Sequence, residues 1–412
     1  MRFAVFFLTI SLLVGAAFFY TGSRLRALAP KREGPPGKRA ALRGLLAAWY
    51  AACMVPFGLY LFGFQGSWLD MLLYCGFTAL GGFSLTLTFV LGRDLLLGVR
   101  FLARRLGILP AGRRAPPPAW PSSPQSPPRR RFLAGGSNAL ILGGAAILTG
   151  YGSFEARRRP EVVRLEIPIP GLAPSLDGFR IAQFSDLHVG PTIKRSHVEE
   201  VVGRVNRLEA DCVVFTGDLV DGSVSWLRED TAPLGDLRAR AGLFFVTGNH
   251  DYYSGVEEWV AEAERLGFTV LLNSHQVIRR GDAGIVMAGI TDWSGGDFHP
   301  LHVSDPEGAF RGAPEGMPRI LLAHQPRSVV PAARAGFDLM LAGHTHGGQF
   351  FPWNFLASLS QPYVRGLHRH GEGWVYVNRG TGYWGPPLRI GVPPEITLIT
   401  LRRAAGRSPL ST

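Results

Sequence analysis

The sequence predicts an α/β layered domain over residues 160–405, preceded by an N-terminal transmembrane helical region. Six apolar, β-rich runs are bounded by Gly, Asp or His, as expected of strands buried on both faces: RIAQFS, DCVVFTG, GLFFVTG, GIVMAG, RILLAH and FDLMLAG. Helix-length stretches at 196–209 and 255–266 lie between some of these runs. Alternating strands and helices favour layers in which polar residues at the strand ends converge on one edge.

Besides the strand-like runs and the helix-length stretches, the sequence contains segments that are apolar enough to cross a membrane. Four apolar stretches, at 3–20, 45–64, 68–92 and 132–152, approach the roughly 20 residues that a spanning helix needs. We group them as a three-span region over 1–114, a Pro/Arg-rich linker over 115–131 and a fourth transmembrane or signal-anchor helix over 132–152. The run PPPAWPSSPQSPP excludes regular structure from the linker, because proline lacks the backbone donor and fixes φ. A cleaved signal peptide is the alternative for the first stretch.

Charge is divided unevenly between the two parts of the chain. Residues 1–159 contain 20 Lys and Arg against 4 Asp and Glu, whereas residues 160–412 contain 23 against 27. The net charges of +16 and −4 add up to the +12 of the whole chain. Because the positive charge lies between apolar runs, it indicates membrane topology and contact with lipid headgroups, and argues against nucleic-acid binding. The three cysteines are too few for a disulfide framework.

The basic loops also predict an orientation. Residues 21–43 carry seven Lys and Arg and residues 93–131 carry nine, while the turn at 65–67 carries none. Basic loops face the cytoplasm, so we expect a multi-pass protein of the inner or plasma membrane whose C-terminal domain is extracytoplasmic. The triple arginine at 157–159 argues the other way. The run RRRFL at 129–133 resembles a twin-arginine export signal, or is an ordinary stop-transfer flank, and both agree with the outward orientation.

Five polar motifs follow apolar runs of the domain. They read D-L-H from Asp186, G-D-L-V-D from Gly217, G-N-H-D from Gly248, A-H-Q from Ala323 and G-H-T-H from Gly343. A single motif of this kind is usually an ordinary polar loop, but five in succession indicate a shared site. Asp and His are ligands for Mn²⁺, Fe²⁺ and Zn²⁺, and no cysteine is close enough to suggest a structural zinc site. Seven candidate ligands suit two ions bridged by one carboxylate.

The motif order resembles the calcineurin-like metallophosphoesterase superfamily over residues 178–401. SDLHVG at 185–190, GHTHGGQ at 343–349 and the run NRGTGYWGPPLRIGVPPEITLITL resemble its membrane-anchored bacterial branch, which is also seen in transmembrane proteins with such a domain. The resemblance implies a four-layer α/β/β/α sandwich and hydrolysis of phosphate ester or pyrophosphate bonds. It also implies the following roles: Asp186, His188 and His346 hold one metal; Asn249, His324 and His344 hold the other; Asp218 bridges them; and His250 serves the leaving group, oriented by Asp251.

Three functions stay open. The main interpretation is a membrane-anchored phosphoesterase that uses two divalent ions, Mn, Fe or Zn, on a phosphorylated lipid or cell-envelope substrate beside the lipid bilayer. A pyrophosphate hydrolase of the UDP-2,3-diacylglucosamine type in lipid A metabolism is an alternative, against which the outward orientation argues because that substrate is cytoplasmic. The third is a membrane sensor that binds a phosphorylated ligand without turnover. The complete ligand set argues against it, as does His250, which a binding domain does not need.

Some residues near the motifs have two interpretations. Arg379 and Arg389 are candidates to clamp a phosphate. Four aromatic residues either pack in the core and rim or contact an acyl chain or the membrane interface: Trp293, Phe350, Phe351 and Trp353.

Overall fold

The computed structural model describes residues 2–27, 36–109 and 128–404. The chain divides into two compact units, Met1–Tyr151 and Gly152–Thr412, each of which is described by itself. Most of the predicted linker lies outside the described residues. Its last four residues, 128–131, belong to a helix, so the fourth apolar helix begins earlier than the sequence predicts.

The described residues at the N-terminal end of the chain form four helices: α1 (Arg2–Ala27), α2 (Pro36–Leu61), α3 (Ser67–Arg105) and α4 (Pro128–Ala156). All four are long and apolar enough to cross a membrane, judged by length and composition. Helix α3 continues 13 residues beyond the predicted end at residue 92. The extension, RDLLLGVRFLARR, is rich in the strong helix formers Leu and Arg and contains no proline, so nothing in it stops the helix.

The second unit contains two six-stranded sheets. Their strands are β1 (Glu161–Ile169), β2 (Arg180–Phe184), β3 (Cys212–Phe215), β4 (Leu243–Phe245), β5 (Phe268–Val270), β6 (Ser274–Arg280), β7 (Ala283–Gly289), β8 (Arg319–Leu322), β9 (Leu339–Ala342), β10 (Gly366–His370), β11 (Gly373–Val377) and β12 (Glu395–Arg403). The first sheet has the order β1-β12-β2-β3-β4-β5 and the second β10-β11-β9-β8-β7-β6. All six apolar runs identified in the sequence form strands.

Seven helices accompany these sheets: α5 (Arg195–Asn206), α6 (Val224–Thr231), α7 (Asn249–Tyr253), α8 (Val256–Arg265), α9 (Pro306–Ala309), α10 (Val329–Ala335) and α11 (Trp353–Ser360). Local sequence explains α8 well. It follows Gly255 in a left-handed conformation, has Glu257 and Glu258 in its first turn and Arg265 in its last, and these charges complement the helix dipole. Its Trp259 and Ala263, one turn apart, are buried against the first sheet.

Three apolar cores define four layers. One core lies between the two sheets and contains Ile181 and Val214 from the first and Ile320 and Leu341 from the second. Helices α5, α6 and α8 cover the outer face of the first sheet. Helices α9 and α10 cover the outer face of the second. The predicted α/β/β/α sandwich is therefore confirmed.

Strand direction decides where the polar motifs meet. Strands β2, β3, β4 and β5 are mutually parallel, and so are β7, β8, β9 and β11. The five motifs follow the carboxyl ends of β2, β3, β4, β8 and β9. Because parallel strands end at the same edge, both sheets deliver their polar residues to one end of the sandwich.

Candidate metal centre

Five of the predicted metal ligands lie in a backbone conformation that L-residues rarely adopt. The φ angles are positive at Asp186 (54°), His188 (52°), Asp218 (59°), His344 (71°) and His346 (50°). A left-handed conformation costs a residue with a side chain about 1 kcal/mol, which glycine would avoid. These positions carry Asp or His nonetheless, and strained residues of this kind cluster at functional sites.

Glycines that precede three of the ligands allow loops from different strands to approach closely: Gly217, Gly248 and Gly343. Of the three, only Gly217 has a positive φ, of 89°, so only there does the backbone need the conformational freedom of glycine. A methyl group on Gly217 would lie 2.6 Å from Nδ1 of His324. A methyl group on Gly248 would overlap Asp218. At these positions glycine therefore serves mainly to bring the loops from different strands into contact.

The first group of side chains consists of Asp186, His188 and His346, whose potential ligand atoms lie within 4.8 Å of one another. The Nε2 atoms of the two histidines are 3.0 Å apart, and Nε2 of His346 is 3.5 Å from Oδ1 of Asp186. All three residues are buried. Burial raises the pKa of the Asp186 carboxyl and lowers that of the His346 ring, because it penalises both charged forms.

The second group consists of Asp218, His324 and His344, also within 4.8 Å. Oδ2 of Asp218 is 3.1 Å from Nε2 of His324 and 3.5 Å from Nε2 of His188, so this carboxylate lies between the two groups. Burial, followed by the charge of His324, lowers the pKa of His344 to about 3 and keeps its ring neutral, the form that binds metals. Asn249, the remaining predicted ligand, is buried beside this group at the start of α7.

The donor atoms of the second group fit a cation. Nδ1 of His324 lies 2.8 Å from the Thr216 carbonyl oxygen, which can only accept, so Nδ1 carries a proton and Nε2 is the nitrogen that remains for a metal ion. Nε2 lies 3.1 Å from Oδ2 of Asp218; burial opposes protonation of His324, but the charge of Asp218 outweighs it and raises the pKa of the ring to about 10, so a metal ion bound there would replace the Nε2 proton. Among the described residues, no donor pairs with the buried Oδ1 of Asn249. Buried polar atoms without partners are uncommon, and this one belongs to a predicted ligand of the same ion as His324.

The structure thus brings all seven predicted metal ligands to one edge of the sandwich. Their assignment to two ions stays a prediction, and the identity of the metal is open. A carboxylate between two Asp/His groups is the arrangement that the sequence resemblance implied for Asp218.

The orienting role predicted for Asp251 needs correction. Its carboxylate accepts hydrogen bonds from the backbone N–H groups of Gly248, Asp218 and Leu219, at 2.7, 3.1 and 2.9 Å. It therefore joins the G-D and G-N-H-D loops, and it caps α7. At a helix start, a side chain at the third helical position turns back toward the free N–H groups, and away from the residue before it.

The carboxylate that contacts His250 belongs to Asp221. Its Oδ1 lies 2.6 Å from Nδ1 of His250, and its Oδ2 lies 3.2 Å from Nδ1 of His188. Burial opposes protonation of His250, but the charges of Asp221 and Asp218 outweigh it and raise the pKa of His250 to about 9. Asp221 ends the G-D-L-V-D motif, so a carboxylate three residues after Asp218 was the signal in the sequence.

Two aromatic residues that the motifs do not include flank His250. The ring centroids of Tyr253 and Trp384 lie 5.2 and 5.3 Å from that of His250. Both side chains are more than half exposed, so they border the approach to the site. Of the four aromatic residues with two interpretations, Phe350 is buried, and the other three are exposed: Trp293, Phe351 and Trp353.

The two candidate phosphate-clamping arginines are engaged with the protein. Arg389 is fully buried and donates to carbonyl oxygens of Gly382, Val392 and Arg379, and burial lowers its pKa to about 9. Arg379 forms an ion pair with Glu395. Arg389 supports the loop between β11 and β12, which makes the clamping interpretation wrong for it.

An α/β/β/α sandwich with Asp/His clusters at the carboxyl ends of both sheets defines a metallophosphoesterase class of protein. The sequence profile described as calcineurin-like phosphoesterase matches residues 179–348. A curated Helicobacter pylori protein, an uncharacterized metallophosphoesterase, is 36% identical over 283 residues, which are 67% of this chain and 73% of that protein. The chain belongs to the calcineurin-like metallophosphoesterase family.

The chain is also similar to the following proteins. A Danio rerio protein named "Transmembrane protein with metallophosphoesterase domain" is 44% identical over 274 residues, or 65% of this chain. The match spans 62% of that relative, and likewise 62% of the Bos taurus protein of the same name. The crystal structure of a Thermus thermophilus 5'-nucleotidase precursor is 16% identical, covers 54% of both chains and has a TM-score of 0.35.

Proposed function

We propose that this chain is a membrane-anchored, two-metal phosphoesterase that hydrolyses phosphate ester or pyrophosphate bonds. The observation that carries the proposal is the position of Asp218 between two Asp/His groups, with His250 beside them. Bound there, two divalent ions such as Mn²⁺, Fe²⁺ or Zn²⁺ would lower the pKa of a water molecule and stabilise negative charge on the phosphoryl group. Asp186, His188 and His346 would hold one ion; Asn249, His324 and His344 would hold the other.

His250 supplies what the metal ligands do not, a proton for the leaving group. Its backbone N–H donates to Oδ1 of Asp218, which fixes the histidine at the edge of the metal centre. Asp221 engages Nδ1, so Nε2 is the nitrogen that faces a substrate. With a pKa of about 9, the ring is protonated at neutral pH and can donate that proton as the ester bond breaks.

Three features support a lipid-linked or cell-envelope substrate. Four helices suited to membrane crossing precede the domain, and exposed aromatic residues border the site. The basic loops favour a multi-pass protein of the inner or plasma membrane, with the domain on the extracytoplasmic side. That orientation separates the domain from nucleotide-linked lipids made in the cytoplasm, which disfavours a UDP-2,3-diacylglucosamine substrate.

A release assay on the full-length protein tests this function. The purified chain is incubated with Mn²⁺, Zn²⁺ or Fe²⁺ and with phospholipids, lipid-linked pyrophosphates or aryl phosphate esters, and phosphate release is measured. Asp218→Asn is the inactive control, because a neutral amide cannot bridge two dications, and Asp282→Asn, in an exposed turn, is the matched neutral control. Metal binding by the wild type without turnover of any ester would favour the sensor function instead.

A further inference from the structure

Helix α11 (Trp353–Ser360) presents its apolar side to solvent. Phe355, Leu356 and Leu359 form one stripe along the helix, and their side chains are 60%, 50% and 83% exposed. Trp353, at the edge of the stripe, is 48% exposed. The less exposed positions, Asn354 and Ala357, lie on the opposite side. In a surface helix of a globular domain the apolar side normally faces the core, and exposed apolar patches mark interaction surfaces.

The helix is held firmly at both ends, so its exposure is part of the fold. At its beginning, a methyl group on Gly348 would lie 2.5 Å from Cα of Asn354, which shows that the turn and the helix are in direct backbone contact. At its end, the Arg327 side chain donates to the Ser360 carbonyl oxygen at 3.2 Å, and the Arg327 N–H donates to Oε1 of Gln361 at 2.9 Å.

The apolar surface adjoins the metal centre. Helix α11 begins seven residues after His346, directly beyond the turn His346–Gly348. Gln349, in the connecting segment, bonds both backbone groups of Trp384, whose exposed ring lies 5.3 Å from that of His250. A partner that covers the apolar side of α11 therefore also lies close to the opening of the metal centre.

Composition and tethering indicate the partner. The sequence of α11, WNFLASLS, has no charged residue that would need a complementary protein surface. Only residues 157–160 separate α4, an apolar helix suited to a bilayer, from β1, so the domain is tethered at a lipid surface. Near the end of the helix, the Arg327 guanidinium lies over the exposed Trp293 ring at 5.4 Å. Tryptophan and basic residues are typical of the membrane–water interface.

We propose that α11 is a membrane-docking helix. The stripe of Phe355, Leu356 and Leu359 inserts between the lipid headgroups of the bilayer in which α1–α4 lie, as amphipathic interfacial helices do. Docking brings the opening of the metal centre, bordered by Trp384, against the headgroups. This contact does not depend on the phosphoesterase activity, so the two proposals fail separately.

Site-specific fluorescence tests the contact in the full chain. The protein carries Cys75→Ser, which removes the exposed native cysteine, and either Leu359→Cys or Asp282→Cys, labelled with nitrobenzoxadiazole. Residue 282 lies in the turn before β7, at the amino end of the strand and opposite to the site. Each protein is placed singly in nanodiscs of phosphatidylcholine and phosphatidylglycerol, with or without nitroxide-labelled acyl chains.

We expect nitroxide lipids to quench the probe at residue 359 several-fold more than the probe at residue 282. Leu356→Cys, on the same stripe, should behave like Leu359→Cys and guards against a local effect of one label. Equal quenching at 359 and 282 would overturn the proposal. A blue-shifted probe at 359 that nitroxide lipids do not quench would also overturn it, because protein would then cover the helix.

Discussion

Replacing Asp221 with Asn tests how His250 is held in its protonated form. In the structure Oδ1 of Asp221 lies 2.6 Å from Nδ1 of His250, in an environment where burial alone would lower the pKa of the ring. An asparagine of the same size keeps a hydrogen-bonding oxygen and removes the negative charge. The main expected change is therefore a lower pKa of His250.

The magnitude follows from the pKa values. His250 has a pKa of about 9 against an ordinary 6.5, and loss of Asp221, one of the two carboxylates whose charge raises it, returns the pKa toward the ordinary value. A change of about 2.5 units corresponds to roughly 3.4 kcal/mol. For a full return of the pKa to 6.5, the protonated fraction of His250 at about pH 7.5 is about tenfold lower than in the wild type. Each further pH unit lowers this fraction by up to about another tenfold. A general acid is active when protonated, so its activity is lost as the pH rises through its pKa.

Two esters with different leaving groups provide the assay. Phenyl phosphate has a basic leaving group that needs a proton, whereas the nitrophenolate anion leaves unaided. With Asp221→Asn, the fall in the rate on phenyl phosphate should move from near pH 9 in the wild type to a lower pH, and the nitrophenyl rate should change little. His250→Ala should lose the phenyl rate at every pH, by about 10² to 10⁴, and Asp282→Asn should match the wild type.

Metal content has to be measured in parallel, because Asp221 also lies 3.2 Å from Nδ1 of the predicted ligand His188. Equal losses on both esters, with metals retained and the basic limb of the pH profile unmoved, would refute the role of Asp221. Equal losses on both esters for His250→Ala would leave His250 as a phosphate-positioning group. His344→Ala is the reference for a ligand variant and should lower both rates.

Three further predictions concern the bridging carboxylate, the hydrogen bonds that hold the site loops together, and the side of the membrane on which the domain lies. Asp218→Asn should lower both turnover and metal content measured by elemental analysis; two retained metals with a near-native rate would disprove the bridging assignment. Asp251→Ala leaves three buried N–H groups without their acceptor, a loss on the order of 3 kcal/mol. It should lower the thermal midpoint by roughly 10 °C, with Asp282→Ala unchanged in the same thermal-shift assay. A reporter that is active only outside the cytoplasm should be active when it is fused to the C-terminus. A well-expressed but inactive fusion would place the domain in the cytoplasm and would favour the nucleotide-linked lipid substrate again.

Much of the fold and the site could be predicted because their signals are local. A short apolar run with β-branched residues, such as CVVF, favours a strand buried on both faces, and the polar residues after such a strand lie at the edge of a sheet. Five such runs with parallel strands bring Asp186, Asp218 and His324 together without any knowledge of long-range contacts. The same logic predicted α5 and α8 to within a few residues.

Three features were decided only by the tertiary structure. Sequence adjacency pointed to Asp251 as the partner of His250, yet the loop after β3 delivers Asp221 from 29 residues away, while Asp251 turns back to cap α7. Arg389 looked like a free cation, but the carbonyl groups that enclose it come from loops that close only in the folded chain.

The third feature that the tertiary structure decided is which side of α11 faces solvent. The sequence by itself determined that residues 353–360 carry no charge and place apolar side chains at Phe355, Leu356 and Leu359, but such a segment packs inward or outward with the same local pattern. The anchors at Gly348 and Arg327 turn its stripe of Phe355, Leu356 and Leu359 toward solvent. Strand periodicity and ligand chemistry are properties of short segments, whereas side-chain direction depends on which distant segments fill the space around them.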